Sequence, residues 1–277
     1  MKLVFLLAVC AILLVLGILL LATSPSRTLP KTIWTYWDSE DLPKSIQYCM
    51  STWRKYNKDH DIIFLTKNNI NSYLPDFDIS TFRHADSSAR ISDCIRLNVL
   101  ATYGGIWMDA SMICNRSLDW VHQTIKDKEF LGYYISAFTQ DPKYPVIESW
   151  FFACVPQSPF VIEWRDAFMR MNKYDTVNDY VDALESLGTD PQGINETLRT
   201  YLAIHLAAQY VLQVLKYPTS DMTLLRCEDG PFLYLERNDW NSEAAVEEVL
   251  QNRVHTDLIK LRGDERKILD QYFAENL

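Results

Sequence analysis

One stretch, RLNVLATYGGIWMDAS at residues 96–111, constrains this chain more than any other. SARISDCIRLNVLATY places Ile91, Ile95, Leu97, Val99 and Leu100 at helical intervals, and Gly104 and Gly105 end that helix before an apolar run, IWMDASMI, that has the composition of a strand. A glycine pair permits the tight reversal such a junction needs. The run carries one carboxylate, Asp109, directly after Ile106, Trp107 and Met108. An acid in an apolar setting is costly unless a cation or a set of N–H donors meets it, so Asp109 is the first candidate for a functional side chain.

The alternation of strand and helix recurs along the chain. TIWTYW and DIIFLT are β-branched and aromatic runs on either side of the helical SIQYCMSTWRKY. Further on, FLGYYI and ESWFFACV have strand composition, and PFVIEWRDAFMRM is a helix opened by Pro159. A long helix is expected from Asn195 to Leu215, and EAAVEEVLQNRV forms a last amphipathic one. This order predicts an α/β domain with a mostly parallel sheet over residues 32–277, without an internal boundary. In an open sheet of that kind ligands sit beyond the carboxyl ends of the strands, which is where Asp109 lies.

Residues 3–22, LVFLLAVCAILLVLGILLLA, are an uncharged run about as long as a bilayer core is thick at 1.5 Å per residue. They are read as an uncleaved transmembrane signal anchor over residues 1–22, with residues 23–31, TSPSRTLPK, as a short stem. Because the bulk of the chain follows the span, the expectation is a single-pass type II membrane protein whose domain is lumenal, in an ER-like or Golgi-like compartment. Two glycosylation triplets, Asn115-Arg-Ser and Asn195-Glu-Thr, agree with that location. Cys49, Cys94, Cys114, Cys154 and Cys227 lack CxxC or tight metal spacing and are expected to be small buried core residues. The net charge of -9 excludes a nucleic-acid partner, whose binding depends on Lys and Arg displacing counterions.

Taken together, PKTIWTYW, SDCIRLNVLATYGGIWMDAS, ESWFFACVPQSPF and HTDLIKL, in this order, resemble the capsular polysaccharide synthesis protein family and related glycosyltransferases with a DxD sugar-binding motif. The resemblance covers nearly all of residues 29–262. It implies a GT-A fold, in which a nucleotide-sugar lies across the ends of a Rossmann-like sheet and a divalent metal, Mn or Mg, bridges its diphosphate and stabilises the leaving group. Asp109 matches the first acid of the motif, which implies a catalytic, donor-binding and metal-binding role. The second acid of stricter members is replaced here by Ser111, which in a continuous strand would face the same side but is a weaker ligand. His255 is the candidate to complete the metal site.

The same resemblance implies that Asp93 and Arg96 are catalytic and reach donor hydroxyls, that Ser92 lines the donor site, and that Trp34 stacks on the nucleobase. Glu148 and Trp150 are expected on the acceptor side, Lys260 on a phosphate, and Tyr36, Trp37 and Asp38 in a donor-side loop. The implied protein is a membrane-anchored, metal-assisted, retaining glycosyltransferase that moves a sugar from a nucleotide-sugar donor to a glycan or glycoprotein. Ser111 motivates an alternative, a catalytically inactive glycan-binding protein with the same fold. A third reading is a glycoside hydrolase that uses Asp109 and Glu148 as its two carboxylates.

Overall fold

The computed structural model describes residues 28–276. The apolar run of residues 3–22 and the stem up to residue 27 lie outside the described residues. Among the described residues, no helix is long and apolar enough to cross a membrane.

The chain opens with β1 (Thr32–Tyr36), α1 (Lys44–Tyr56) and β2 (Asp61–Leu65), as the alternation predicts. Next comes α2 (Ser88–Tyr103), capped by Ser87, whose Oγ accepts from the Arg90 backbone N–H at 3.2 Å. It stops at Gly104, with φ of +64°, followed by Gly105 at +100°, and passes directly into β3 (Gly105–Met108). Then follow β4 (Met112–Cys114), α3 (Asp119–Ile125), β5 (Phe130–Tyr134), β6 (Ile147–Cys154), α4 (Pro159–Met169) and α5 (Val177–Ser186). The chain continues with α6 (Ala203–Gln213), β7 (Met222–Arg226), α7 (Ser242–Leu250), β8 (Leu258–Lys260) and α8 (Gly263–Asn276).

The main sheet has the order β2-β1-β3-β6-β5-β7. Its pairings are parallel except for those of β6, which runs against both β3 and β5. The mostly parallel sheet is therefore as expected. The reversed strand has a functional consequence, because the amino end of β6 lies at the same edge as the carboxyl ends of β1, β3 and β5. Below that edge the core is aromatic: Trp107, Phe130, Phe151, Phe152 and Trp164 are fully buried, and Phe130 stacks on Phe152 at 5.6 Å. Cys49, Cys94, Cys114, Cys154 and Cys227 are free and buried, as their spacing suggested.

Four elements differ from the sequence expectation. The run IWMDASMI is not one strand: β3 ends at Met108, and residues 109–111 form a turn closed by the Met112 N–H on the Asp109 carbonyl at 3.1 Å. The chain then leaves the main sheet, and β4 pairs antiparallel with β8 in a separate two-stranded sheet. The helix expected from Asn195 to Leu215 is broken, with one turn at Glu196–Arg199 and α6 starting at Ala203. Thr200 and Tyr201, weak helix formers, fall in the break. Finally, β7 and α8 have no clear periodic signal in sequence; β7 gains its regularity by pairing along β5.

Candidate active site at the carboxyl edge of the sheet

A cleft of about 620 Å³ opens along the carboxyl edge, within the roughly 300–1,000 Å³ typical of small-molecule sites. Its floor is Asp109 and the turn after it, one wall is α2 and the start of β6, and the other wall is the end of β8 with the start of α8. Tyr201 and Trp240 stand at its rim, Tyr201 largely exposed.

Asp109 is the centre of this cleft. Its backbone N–H continues the sheet ladder by donating to the Trp150 carbonyl at 2.9 Å, which fixes the carboxylate at the junction of β3 and β6. The side chain, 24% exposed, accepts from Arg96 Nη2 at 3.1 Å and Trp107 Nε1 at 3.0 Å on Oδ1, and from Lys260 Nζ at 2.8 Å on Oδ2. Burial alone would push this carboxyl up, but Lys260 and Arg96 outweigh it and hold it below the usual carboxylate range. The sequence reading left the partners of this acid to a ligand. In the structure the chain itself supplies three, two of them charged.

Arg96 ties the site together. Its Nη1 donates to the Ser149 carbonyl at 2.8 Å and Ser149 Oγ at 2.6 Å, and its Nη2 to Ser92 Oγ at 3.2 Å. The i, i+3 pair with Asp93 is present at 3.3 Å, and the guanidinium lies 5.2 Å from the Trp107 ring centre. α2 therefore delivers Ser92, Asp93 and Arg96 to the cleft from one helix face, as their spacing implied.

Burial pushes the Asp93 carboxyl up to about 6 against the pull of Arg96 and His205. The folded group then keeps its proton to higher pH than the unfolded chain, whose Asp titrates near 3.8, so stability falls as pH rises through that window. Asp93→Asn is expected to raise the melting temperature at pH 8, with the gain shrinking toward pH 4. Thermal melts at the two pH values check this, and an equal shift at both would refute it.

Glu148 and Trp150 also face the cleft. Glu148 is buried against His205, whose Nε2 stands 3.1 Å from Glu148 Oε2. His205, on the first turn of α6, gives little signal in the sequence, because it is a lone histidine with no acid in its own helix. Trp150 stacks on Tyr133 at 5.4 Å, and its buried Nε1 has no hydrogen-bond partner among the described residues. The hydrolase reading of Asp109 with Glu148 fits poorly, because both oxygens of Asp109 are already taken, Oδ1 by Arg96 and Trp107 and Oδ2 by Lys260, which weakens it as a nucleophile toward a sugar carbon or as a base toward water.

Other sequence candidates lie elsewhere. Trp34 is a core residue in β1: it is buried, donates to the Gly104 carbonyl at 3.0 Å and stacks on Tyr103 at 5.5 Å, so its ring has no face open to a base. The aromatics that β1 does bring to the cleft are Tyr36 and Trp37. His255 is exposed in the loop before β8 and does not line the cleft, because β8 runs antiparallel to β4 and carries Lys260, opposite Met112, toward Asp109 instead. Ser111, no longer in a strand, directs its Oγ to Lys260 Nζ at 2.8 Å. The Asn115 amide nitrogen, where a glycan would attach, donates to the Thr256 carbonyl at 2.8 Å, whereas Asn195 is exposed.

The residues at the cleft floor fit a divalent ion poorly. The space between Asp109 and Ser111 is bridged by an ammonium, and Ser111 offers no charge. Among the described residues, one group with ligand atoms close enough for a metal is Asp59, His60 and Asp119, all within 4.8 Å. It lies just before β2 and at the start of α3, away from the cleft lining, and Lys31 pairs with both acids.

An α/β sheet with Arg96, Lys260 and four acids gathered at its carboxyl edge defines a binding cleft for a small polar ligand. The model of the capsular polysaccharide synthesis protein family matches residues 21–224, and the chain belongs to that family. A curated relative, O-glycosyltransferase braB of Annulohypoxylon truncatum, is 22% identical over 227 residues, covering 71% of this chain and 52% of its own. The chain thus spans about half the length of the curated relative it matches. Similar solved structures include a glycosyltransferase involved in glycosylation of the major capsid of PBCV-1 (8% identity, TM-score 0.45, 88% of this chain and 98% of that one). The galactosyltransferase LgtC, in complex with donor and acceptor sugar analogues, is another (12% identity, TM-score 0.42, 88% and 94%).

Proposed function

We propose that this protein is a glycosyltransferase that takes a sugar from a nucleotide-sugar donor and passes it to a hydroxyl of a glycan or glycoprotein. The observation that carries the reading is Asp109 at the carboxyl end of β3, beside a cleft and gripped by Arg96 and Lys260. Family membership and the transferase relative point the same way. A donor lying across this edge would place its sugar against Asp109, Asp93 and Arg96, with the acceptor approaching past Glu148, Trp150 and Tyr201. The planar Arg96 fork orients neighbouring oxygens, and Asp109 accepts sugar hydroxyls.

Retention of anomeric configuration is part of the proposal. Each acid lining the cleft is engaged: Asp38 by Ser88, Asp93 by Arg96, Asp109 by Lys260 and Arg96, and Glu148 by His205. A displacement on the face from which the phosphate departs, with that phosphate taking the acceptor proton, requires no separate base. We also propose that the apolar run of residues 3–22 anchors the protein in a membrane with the domain on the lumenal side, and that Asn195 is the usable glycosylation site.

A screen of nucleotide-sugars against the full chain tests the central reading. One donor is expected to raise the melting temperature and to be turned over slowly, with release of nucleoside diphosphate even without acceptor. Stabilisation by a glycan alone, with no donor binding, would replace the transferase by the glycan-binding alternative.

A further inference from the structure

The cleft floor holds a cation of its own. Lys260 is only 8% exposed, lines the cleft, and has its Nζ at 2.8 Å from both Asp109 Oδ2 and Ser111 Oγ. These are the two positions that the DxD resemblance assigns to a metal. A divalent ion placed there would meet an ammonium at close range, and Ser111 in place of a carboxylate would leave it short of ligand charge. Resting on the nucleotide-sugar reading above, we propose that the Lys260 ammonium does the work of the metal, so that this chain binds its donor diphosphate and stabilises its departure without a divalent ion.

The chemistry of the groups supports this. An ammonium has three N–H donors; two are taken by Asp109 and Ser111, and the third is claimed by no described residue. Asp109 and Ser111 thus act as positioning residues that hold Lys260 at the floor, much as ligands hold an ion. A second cation stands on the same wall: Arg266 lines the cleft, its guanidinium 5.4 Å from the Trp37 ring centre, and its buried Nε has no partner among the described residues. Between the two, Gly263 lines the cleft at the start of α8, whose own first turn carries Asp264 and Glu265, with Glu265 accepting from the Arg262 N–H at 2.7 Å, so the positive charge offered to an anion is that of the Lys260 and Arg266 side chains. Lys260 and Arg266 come from one short stretch, KLRGDER, which sets two cations on one wall to receive a diphosphate. Burial lowers the Lys260 pKa, which Asp109 partly restores, so the pair keeps its charge separation best when both are present.

The test is calorimetric binding of UDP, GDP, ADP and dTDP to the full chain, in EDTA and again in Mn. For the diphosphate that binds best, the affinity is expected to differ by less than about twofold between the two conditions. Lys260→Met is expected to weaken it by at least about tenfold, and Lys260→Arg by less, because the charge is kept. A melting curve shows that each variant is folded. The double change Ser111→Asp with Lys260→Ala is expected to restore binding only in Mn, since it rebuilds a two-carboxylate site.

Binding by the unaltered chain that vanishes in EDTA and returns with Mn would overturn the proposal while leaving the transferase reading intact; this outcome needs no variant. Unchanged affinity in folded Lys260→Met would overturn it as well. Failure of a folded chain to bind any of the four diphosphates in either condition would remove the nucleotide-donor reading itself, and this inference with it.

Discussion

Asp109→Ala is expected to cut nucleoside diphosphate release by about 100-fold or more and also to lower stability by about 3 kcal/mol. The first effect follows from its place at the cleft floor, the second from what it leaves behind. Lys260 is buried with Asp109 as its only carboxylate partner among the described residues, and without that partner Nζ keeps a single bond to a neutral hydroxyl. Arg96 loses less, because Asp93 and Ser149 remain. Removing one member of a buried pair costs more than the pair is worth, since the survivor stays desolvated and unpaired.

Turnover and melting of three variants separate the two effects. Asp109→Asn should melt well below the parent chain, and combining it with Lys260→Met should recover most of the loss while recovering no turnover. A single variant with unchanged melting and unchanged release would mean that the carboxylate neither anchors Lys260 nor touches substrate.

The second large effect is expected from Gly105→Ala, at the start of the strand that carries Asp109. A Cβ there would lie 2.7 Å from the Thr32 carbonyl oxygen, backbone of the adjacent strand, at a φ of +100° that side chains rarely adopt. Nothing flexible can yield, so β1 and β3 must move apart or the turn must open. The expected cost is about 3 kcal/mol or more, visible as insoluble or low-melting protein. Gly188→Ala is the matched control: it has the same positive φ but open space around it, so it is expected to show backbone strain alone, about 1 kcal/mol. Equal losses at the two positions would mean that packing between β1 and β3 does not decide the first.

Much of the fold was legible because its signals are local. The helix that ends on Gly104, the strands of β-branched and aromatic residues, and the Pro159 helix start all follow from periodicity and capping within about a dozen residues. The helix-borne part of the site followed too, since Ser92, Asp93 and Arg96 share a face that spacing alone defines.

What escaped was decided by distant pairing. Whether IWMDASMI is one strand or two depends on β8, some 150 positions away, which draws Met112–Cys114 out of the main sheet. The same pairing brings Lys260 to Asp109 and leaves His255, the histidine that the resemblance offers near the C-terminus, exposed outside the cleft. Trp34 looked like a base-stacking residue because it sits on the first strand, but the Gly104–Gly105 turn packs against its indole and seals it in the core. His205 became meaningful only through Glu148, which no sequence window contains.

The reversed course of β6 separates inheritance within the cleft. One half of the floor is encoded by strands that arrive at the edge and stop, in residues 32–38 and 105–111, together with the helix between them. The other half is encoded by a strand that departs from it at residues 147–150 and by segments further along the chain. The two halves are therefore stitched together only across long stretches of chain, Asp109 to Lys260 and to the Trp150 carbonyl and Arg96 to Ser149, so a substitution on either side of residue 135 is felt on the other.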